Sequence, residues 1–412
     1  MPDKIAQERW DDLVVGTSPL MLMLAQLLAV EGRRVLIVDR DAVRGGAWQT
    51  AIIKDDSKRS DVATEIACHV IEAFPGVYEC LEAAAGVPFE TLREQPMRVG
   101  RNGRLLPYFN RPLLLLAALR MTAGVAVHGL KTVLGRRSAR NEYLNNRIKL
   151  ANLLRFQIGY LRGCPKMRGP RFGYVDFLTR LYERAIRAGA DFERREVTAI
   201  HRDGNRWRVT DSERRTLLVS AVHATTSVGL RPDQAGTGWV AAKARPDLRL
   251  AVVVELAEAD ILTHQCYVGI WRRWPLRRVS RVDTMPPVDK SEAGIKRFLV
   301  ELQFERRANK RELNSALEEA LDLTAIRRPG APFRQIGAVE CVAMQNIDLL
   351  PEGELADGVI TYHTSGNLAA GIANWLRNRA PRSPRWLPPD MPLAESSLAT
   401  PEDVDGPANH LV

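Results

Sequence analysis

The sequence predicts an α/β protein, in which a parallel sheet covered by helices is joined to a second, α+β domain built on an antiparallel sheet. Near the start of the chain, residues 13–39 combine two short apolar runs with an apolar helix between them, as in parallel β–α–β units. Farther along, four runs of period about two indicate an antiparallel sheet: Leu248–Leu256, Gln265–Trp271, Arg277–Val282 and Arg297–Phe304.

The β–α–β unit is typical of a dinucleotide-binding site. Its first strand is followed by a tight turn at Gly16, and the helix that begins there offers unpaired N–H groups and a partial positive charge to a pyrophosphate. Its second strand ends at Asp39, 23 residues beyond Gly16, near the offset of about 20 at which an acid binds a ribose. The residues predicted to contact the dinucleotide here are Gly16, Thr17, Ser18, Pro19, Leu20, Asp39 and Arg40.

The glycine fingerprint of this unit is incomplete. A full G-x-G-x-x-G pattern needs glycine at 16, 18 and 21, where the chain has Gly16, Ser18 and Met21. Gly16 keeps the tight turn, whereas Ser18 narrows the room for a phosphate but supplies a hydroxyl that can donate a hydrogen bond. The prediction therefore depends on the strand, turn, helix and terminal acid together.

A pair of glycines follows the second strand after a short spacer. This pattern resembles flavin-containing amine oxidases, phytoene desaturases and UDP-galactopyranose mutases, in which the pair approaches the FAD pyrophosphate. Rab escort proteins and GDP-dissociation inhibitors (GDI) share the fold and a similar glycine pair without needing flavin. The resemblance to this FAD/GDI-like superfamily implies a Rossmann-like FAD-binding domain, with further FAD contacts at Gly45, Gly46, Ala47 and Trp48.

Two later segments resemble the same superfamily. A helix ending near Ala188 is followed by a strand from Val197, where the backbone of flavin-binding relatives meets the adenine. Residues 358–372 resemble the closing flavin segment, in which a helix N-terminus faces the flavin ring. Relatives carry an acid there that this chain lacks, which favours the branch without flavin. The expected contacts in this segment are Gly366, Asn367 and Leu368, with Thr364 and Ser365 as further neutral donors.

One histidine is a candidate catalytic residue. In the UDP-galactopyranose mutases a glycine–alanine–histidine segment places its histidine beside the isoalloxazine, and residues 66–71 are similar, with Ala67 in place of the glycine. The resemblance implies that His69 faces the flavin. The alternative is a core histidine bonded to a backbone carbonyl.

The resemblance also implies an interleaved domain order. We expect two FAD-binding parts at 1–95 and 173–235 and a closing segment at 351–380. The substrate domain would consist of a cap with a hairpin and basic helices at 96–172 and an antiparallel sheet at 236–350. A Pro-rich tail at 381–412 is expected to be mostly disordered.

An apolar helix is predicted between Arg111 and Leu134. Arg120, His128 and Lys131 interrupt it, and because a spanning helix needs roughly twenty apolar residues, a transmembrane segment is not expected. We favour a buried helix of the substrate cap. An interfacial helix that dips into a bilayer is the alternative.

Composition restricts partners and location. The net charge of +10 and the basic stretch 135–171 favour anionic partners, and the absence of a nucleic-acid motif indicates a small anion or a headgroup. Five scattered cysteines without CxxC spacing favour reduced thiols and exclude a structural zinc site, and no metal ligand set is apparent. The polar N-terminus lacks a signal-peptide core, so we expect a cytoplasmic protein, with peripheral membrane contact as an alternative.

The first hypothesis for function is an FAD-dependent oxidoreductase that acts on a small-molecule substrate, anionic or lipid-like, by hydride chemistry at flavin N5. A second is a flavin-dependent isomerase like the mutases, with arginines of 136–171 holding a diphosphate. A third, from a different class, is a GDI-like binding or escort protein that has lost FAD. The sequence leaves the substrate and the oligomeric state open.

Overall fold

The computed structural model describes residues 9–40, 45, 48, 50–53, 62–65, 71–72, 74, 76–92, 95–100, 103–107, 111–135, 143, 146–147, 150–151, 154, 166–226, 229–241, 245–263, 267–282, 294–304, 306–345, 353–362, 368–378 and 384–386. The helices are α1 (Pro19–Val30), α2 (Val77–Ala85), α3 (Arg111–Val133), α4 (Gly173–Arg187), α5 (Lys310–Leu323) and α6 (Leu368–Asn378).

The strands are numbered in chain order. The first group is β1 (Arg9–Val15), β2 (Val35–Asp39), β3 (Thr50–Ile53), β4 (Val62–Glu65), β5 (Phe89–Thr91), β6 (Met97–Val99), β7 (Leu105–Pro107), β8 (Arg168–Pro170), β9 (Asp191–Arg194), β10 (Val197–Asp203) and β11 (Arg206–Asp211). The second group is β12 (Thr216–Thr225), β13 (Leu230–Pro232), β14 (Gly238–Ala241), β15 (Arg245–Ala257), β16 (Tyr267–Arg273), β17 (Leu276–Arg281), β18 (Ile295–Phe304), β19 (Arg334–Gln345), β20 (Gly353–Ala356) and β21 (Val359–Tyr362).

The centre of the molecule is a parallel array in the order β9-β2-β1-β12-β21. The chain builds outward from β1 to β2 and β9, then returns to the other side of β1 with β12. The predicted β1–α1–β2 unit is confirmed, and β1 begins at Arg9, before the apolar run, because its first residues pair with β12 from Leu218 onward. Helices α1, α2, α4 and α6 supply side chains to one apolar core with this array.

An antiparallel meander extends this array into a 10-stranded sheet. The hairpin predicted at Asp203-Gly204 joins β10 to β11, β11 pairs with the first half of β12, and β14 and β13 continue beyond β10. Because the second half of β12 pairs with β21 instead, this one strand belongs to both the meander and the parallel array.

The expected antiparallel sheet is also confirmed. It has seven strands in the order β19-β15-β18-β17-β16-β6-β7. The hairpin predicted around Gly103 forms β6 and β7, and β6 joins the sheet by parallel pairing with β16. Helix α5 packs Leu317 and Leu321 on one face, while Ile53 of β3 packs on the other with Val253 and Leu299.

The prediction that the apolar helix 111–134 is buried is wrong. Helix α3 has the expected length, but its described side chains are exposed or half-buried. The reason is its packing face, which contains Gly124 and Gly129. A Cβ at these positions would lie 3.0 Å from the Asn146 amide and 3.3 Å from the Tyr143 ring, so the two glycines face inward, while Leu115, Leu119 and Leu130 face outward.

Within the described residues, no helix is long and apolar enough to cross a membrane.

Residues 384–386 of the Pro-rich tail are described by the structure and contact the folded domain. The Trp386 ring lies 6.5 Å from the Trp375 ring of α6, and Trp386 packs against the core of the parallel array. A tryptophan buries more apolar surface than any other side chain, which offsets the cost of ordering a short polar segment.

Candidate functional site

The carboxyl ends of the parallel strands meet at one edge of the sheet. β2 and β12 lie on opposite sides of β1, so the order in which strands are added to the sheet reverses at β1. The turn that follows β1 lies at this topological switch point. In open α/β sheets, ligands bind at such a switch point, outside the carboxyl ends of the strands. The turn from Gly16 to Ser18 lies there and leads directly into α1.

Thr17 joins the predicted site residues through a chain of hydrogen bonds. Its backbone N–H and its hydroxyl donate to Asp39 Oδ2 at 2.8 and 2.6 Å, and its Oγ1 accepts from the N–H of Gly45 at 2.9 Å. All of these bonds are buried, which makes them strong. Thr17 thus connects the turn after β1, the acid at the end of β2 and the first glycine of the pair.

Asp39 is held in place at the end of β2 by Thr17. Two of its hydrogen bonds, both from Thr17, go to the same oxygen, Oδ2. Asp39 is 8% exposed at the edge where a dinucleotide would lie.

Ser18 occupies the N-cap position of α1 without capping the helix. Its φ and ψ of −60° and 155° are those of an N-cap, but its side chain makes no capping hydrogen bond. Its Oγ is buried and has no hydrogen-bond partner. A buried polar atom without a partner costs roughly 1–3 kcal/mol, so such an atom at a helix N-terminus indicates a place for a ligand.

The N-terminus of α1 suits an anion. Its first turn contains no acidic side chain, and Pro19 at its start has no N–H to satisfy. Gly16 has a φ of +98°, and a Cβ placed on it would meet nothing within 4 Å. The open space beside Gly16, the free helix N–H groups and the Ser18 hydroxyl together fit a pyrophosphate, although only one of the three fingerprint glycines is present.

Two arginines at this edge were missed in the sequence. β9 pairs with β2 so that Arg194 lies beside Asp39, and the Arg194 guanidinium donates to the carbonyl of Arg40 at 3.2 Å. The backbone N–H of Arg195 donates to the carbonyl of Asp39 at 2.9 Å. The sequence does place these arginines at the end of a strand, which is where site residues are expected in a parallel sheet. Which strand lies beside β2, however, is decided by the tertiary structure.

Other predicted site residues lie in the apolar core. Leu20 is fully buried, and Leu368, at the start of α6, is 7% exposed. The Trp48 ring packs 5.1 Å from the Tyr174 ring, so its indole belongs to the core that supports α1. These residues have only backbone groups to offer a cofactor.

Val197 is the first residue of β10, and it packs on the face of the 10-stranded sheet opposite to α1. It lines a cavity of about 10 Å³ with Leu13 and Val38. That volume is about the space of one water molecule, so the cavity is too small for a cofactor ring.

Seven of the predicted site residues lie outside the described residues, which leaves the proposed histidine and the neutral donors of the closing segment as predictions. They are Gly46, Ala47, His69, Thr364, Ser365, Gly366 and Asn367.

The Cys80 thiol is a buried core group rather than a candidate nucleophile. Cys80 of α2 is free and buried, and burial raises the pKa of its thiol to about 12. Since the thiolate is the reactive form, Cys80 belongs to the core rather than to the chemistry.

Replacing Thr17 by valine should destabilise the fold. The substitution keeps the shape but removes the hydroxyl that bonds Asp39 and Gly45, at an expected cost of about 1–3 kcal/mol in the free energy of unfolding. Urea unfolding measures this cost. The control is Thr122→Val, since the Thr122 hydroxyl is exposed and bonds only within α3; equal costs for the two variants would contradict the role of Thr17.

No protein-family model matches the chain, and neither does any curated protein. Solved structures do match. An oxidoreductase from Methanosarcina mazei has a TM-score of 0.54 at 13% identity, covering 90% of this chain and 100% of that one. A Pyrococcus furiosus protein has a TM-score of 0.55 at 12% identity, covering 88% and 93%. Putrescine oxidase bound to putrescine has a TM-score of 0.52 at 11% identity, covering 88% and 95%.

The chain shares its fold with these structures. The matches span nearly the whole chain, so the predicted architecture, a Rossmann-like domain joined to a second domain built on an antiparallel sheet, is confirmed. At 10–13% identity they establish the fold alone.

Proposed function

We propose that the chain is an FAD-dependent oxidoreductase that acts on a small-molecule substrate. The observation that carries the proposal is the N-terminus of α1, where the buried Ser18 hydroxyl has no partner and does not cap the helix, at the switch point of the sheet. A scaffold that had given up its ligand would have no reason to retain this buried, unpaired hydroxyl.

The residues that would hold FAD are those of the turn and the strand ends. The turn from Gly16 to Ser18 and the first N–H groups of α1 bind the pyrophosphate, and Asp39, fixed by Thr17, binds the adenosine ribose. Arg194 lies close enough to Asp39 to pair with a phosphate from the side. When bound, FAD supplies the hydride acceptor, while the protein supplies orientation and excludes water.

The substrate would lie between the two sheets. The hairpin β3–β4 leaves the dinucleotide site directly after Trp48, and its Ile53 contacts the face of the antiparallel sheet opposite α5. That face also contains buried ion pairs, Arg297 with Glu255 at 2.9 Å and Arg278 with Glu301 at 2.5 Å. Such pairs favour a substrate with polar groups over one that is wholly apolar.

An absorption spectrum of the purified protein, repeated after adding FAD, tests the cofactor. We expect flavin bands at about one equivalent, followed by bleaching when a substrate is added without oxygen. A featureless spectrum with no FAD uptake would contradict the proposal and favour the GDI-like alternative. Turnover of UDP-sugars by the reduced flavoprotein would favour the isomerase.

Replacing Ser18 by alanine should weaken FAD binding without loss of stability. The hydroxyl has no protein partner, so its removal costs the fold nothing, whereas the loss of one hydrogen bond to a phosphate is expected to raise the FAD dissociation constant about three- to tenfold. FAD titration and thermal unfolding measure the two effects. Ser220→Ala, at an exposed serine of β12, is the control and should change neither.

A further inference from the structure

The exposed face of α3 is its apolar face. Leu115, Leu119, Leu130 and Val133 are 62%, 62%, 63% and 85% exposed, and their spacing places them along one side of the helix. Val127 and Leu134 widen the same stripe. A soluble amphipathic helix has the opposite arrangement, with its large apolar residues turned toward the core.

The inward side of α3 is already covered. Gly124 and Gly129 allow Asn146 and Tyr143 to approach closely, so the helix packs through its small residues. Reversing the helix to bury the leucines would place bulky side chains where there is room only for hydrogen. The exposed stripe is thus fixed by the packing of the other side.

The segment around α3 carries an unusual charge. Residues 95–175 contain sixteen lysines or arginines and a single acidic residue, Glu142. Since the net charge of the whole chain is +10, the rest of the protein is acidic on balance, and the positive charge is concentrated on the segment that contains the exposed leucines. Arg120 and Lys131 lie on α3 itself, and Arg136 and Arg137 follow its end.

We propose that α3 docks the protein on the surface of an anionic lipid bilayer. An exposed Leu/Val face with neighbouring Lys and Arg is the arrangement by which interfacial helices bind membranes, with apolar side chains below the headgroups and cations at their level. Because no described helix is suited to crossing a membrane, α3 lies in the plane of the interface. A second copy of the chain is a poorer occupant, since two such segments would bring like charges together.

Flotation with lipid vesicles tests the proposal on the full chain. We expect the wild type to float with vesicles of phosphatidylcholine containing about a quarter phosphatidylglycerol, and to bind vesicles of phosphatidylcholine alone at least about tenfold more weakly. Raising NaCl to about 1 M, where the Debye length falls to about 3 Å, should release most of the protein.

The variant Leu119→Glu/Leu130→Glu should lose vesicle binding by at least about tenfold, because it places two anions in the apolar stripe. The matched control is Leu262→Glu, which alters a leucine that is 54% exposed outside α3 and should bind vesicles as the wild type does. Far-ultraviolet circular dichroism and thermal unfolding, both expected to be unchanged, show that the variants are folded.

Three outcomes would overturn the proposal. One is a wild type that does not float with anionic vesicles, and another is a double variant that floats as well as the wild type. The third is a wild type that sediments as a dimer and does not bind vesicles, together with a double variant that sediments as a monomer. That result would assign the stripe to contact with a second copy of the chain. Since none of these readouts depends on flavin, the membrane proposal and the proposed function fail separately.

Discussion

The variant Gly16→Ala is expected to lose FAD. Gly16 has a φ of +98°, and the open space beside its Cα is where the pyrophosphate would lie. A methyl group there strains the turn and occupies the place of the ligand, so we expect the FAD dissociation constant to rise by at least about 100-fold. FAD titration followed by flavin fluorescence measures the change.

The chain offers a matched control in Gly189. It has a φ of +105°, and a Cβ on it would also meet nothing within 4 Å. It lies before β9, at the amino edge of the parallel strands, away from the site. Gly189→Ala and Gly16→Ala should each cost the fold about 1–3 kcal/mol through backbone strain, but Gly189→Ala should retain FAD. Equal FAD binding by the two variants would place the cofactor elsewhere.

The variant Asp12→Ala is expected to destabilise the protein by about 1–3 kcal/mol, because it leaves the buried His223 imidazole without its carboxylate partner. Asp12 is fully buried within β1. His223 Nε2 of β12 donates to Asp12 Oδ1 at 2.8 Å, and Arg33 pairs with the other carboxylate oxygen. His223 Nδ1 lies 3.1 Å from the Tyr362 hydroxyl of β21, so the network connects three neighbouring parallel strands.

The control for this variant is the neighbouring acid, Asp11. Its side chain is 37% exposed and pairs with Arg34 at the surface. Asp11→Ala should therefore cost no more than about 1 kcal/mol. Urea unfolding of both variants measures the difference, and a cost for Asp12→Ala as small as that for Asp11→Ala would show that the network does not stabilise the array.

Most of the architecture could be predicted because it depends on local signals. The period-2 runs gave β15 to β18, the Gly103 and Asp203-Gly204 turns gave two hairpins, and the apolar runs around α1 gave the parallel unit. The terminal acid was also found by its spacing, since the length of a β–α–β unit fixes how far Asp39 lies from Gly16.

The composition of the candidate site was less predictable. Sequence reasoning assigned Thr17 to the turn but not its bonds to Asp39 and Gly45, and it assigned Trp48 to the cofactor although the indole packs in the core. Arg194 lies 154 residues from Arg40, and His223 lies 211 residues from Asp12. Such neighbours are set by strand order, which no local pattern encodes.

Helix α3 shows the same division. Its length and apolar character were readable, since they depend on the residues of the helix itself. Which side faces the protein was not, because Gly124 and Gly129 allow close contact only with the particular side chains of Tyr143 and Asn146. The sequence by itself determined the elements, the turns and the β1–α1–β2 unit, since these follow from local propensity and periodicity. The tertiary structure decided which side chains meet at the switch point and which apolar face stays exposed, because both depend on long-range packing.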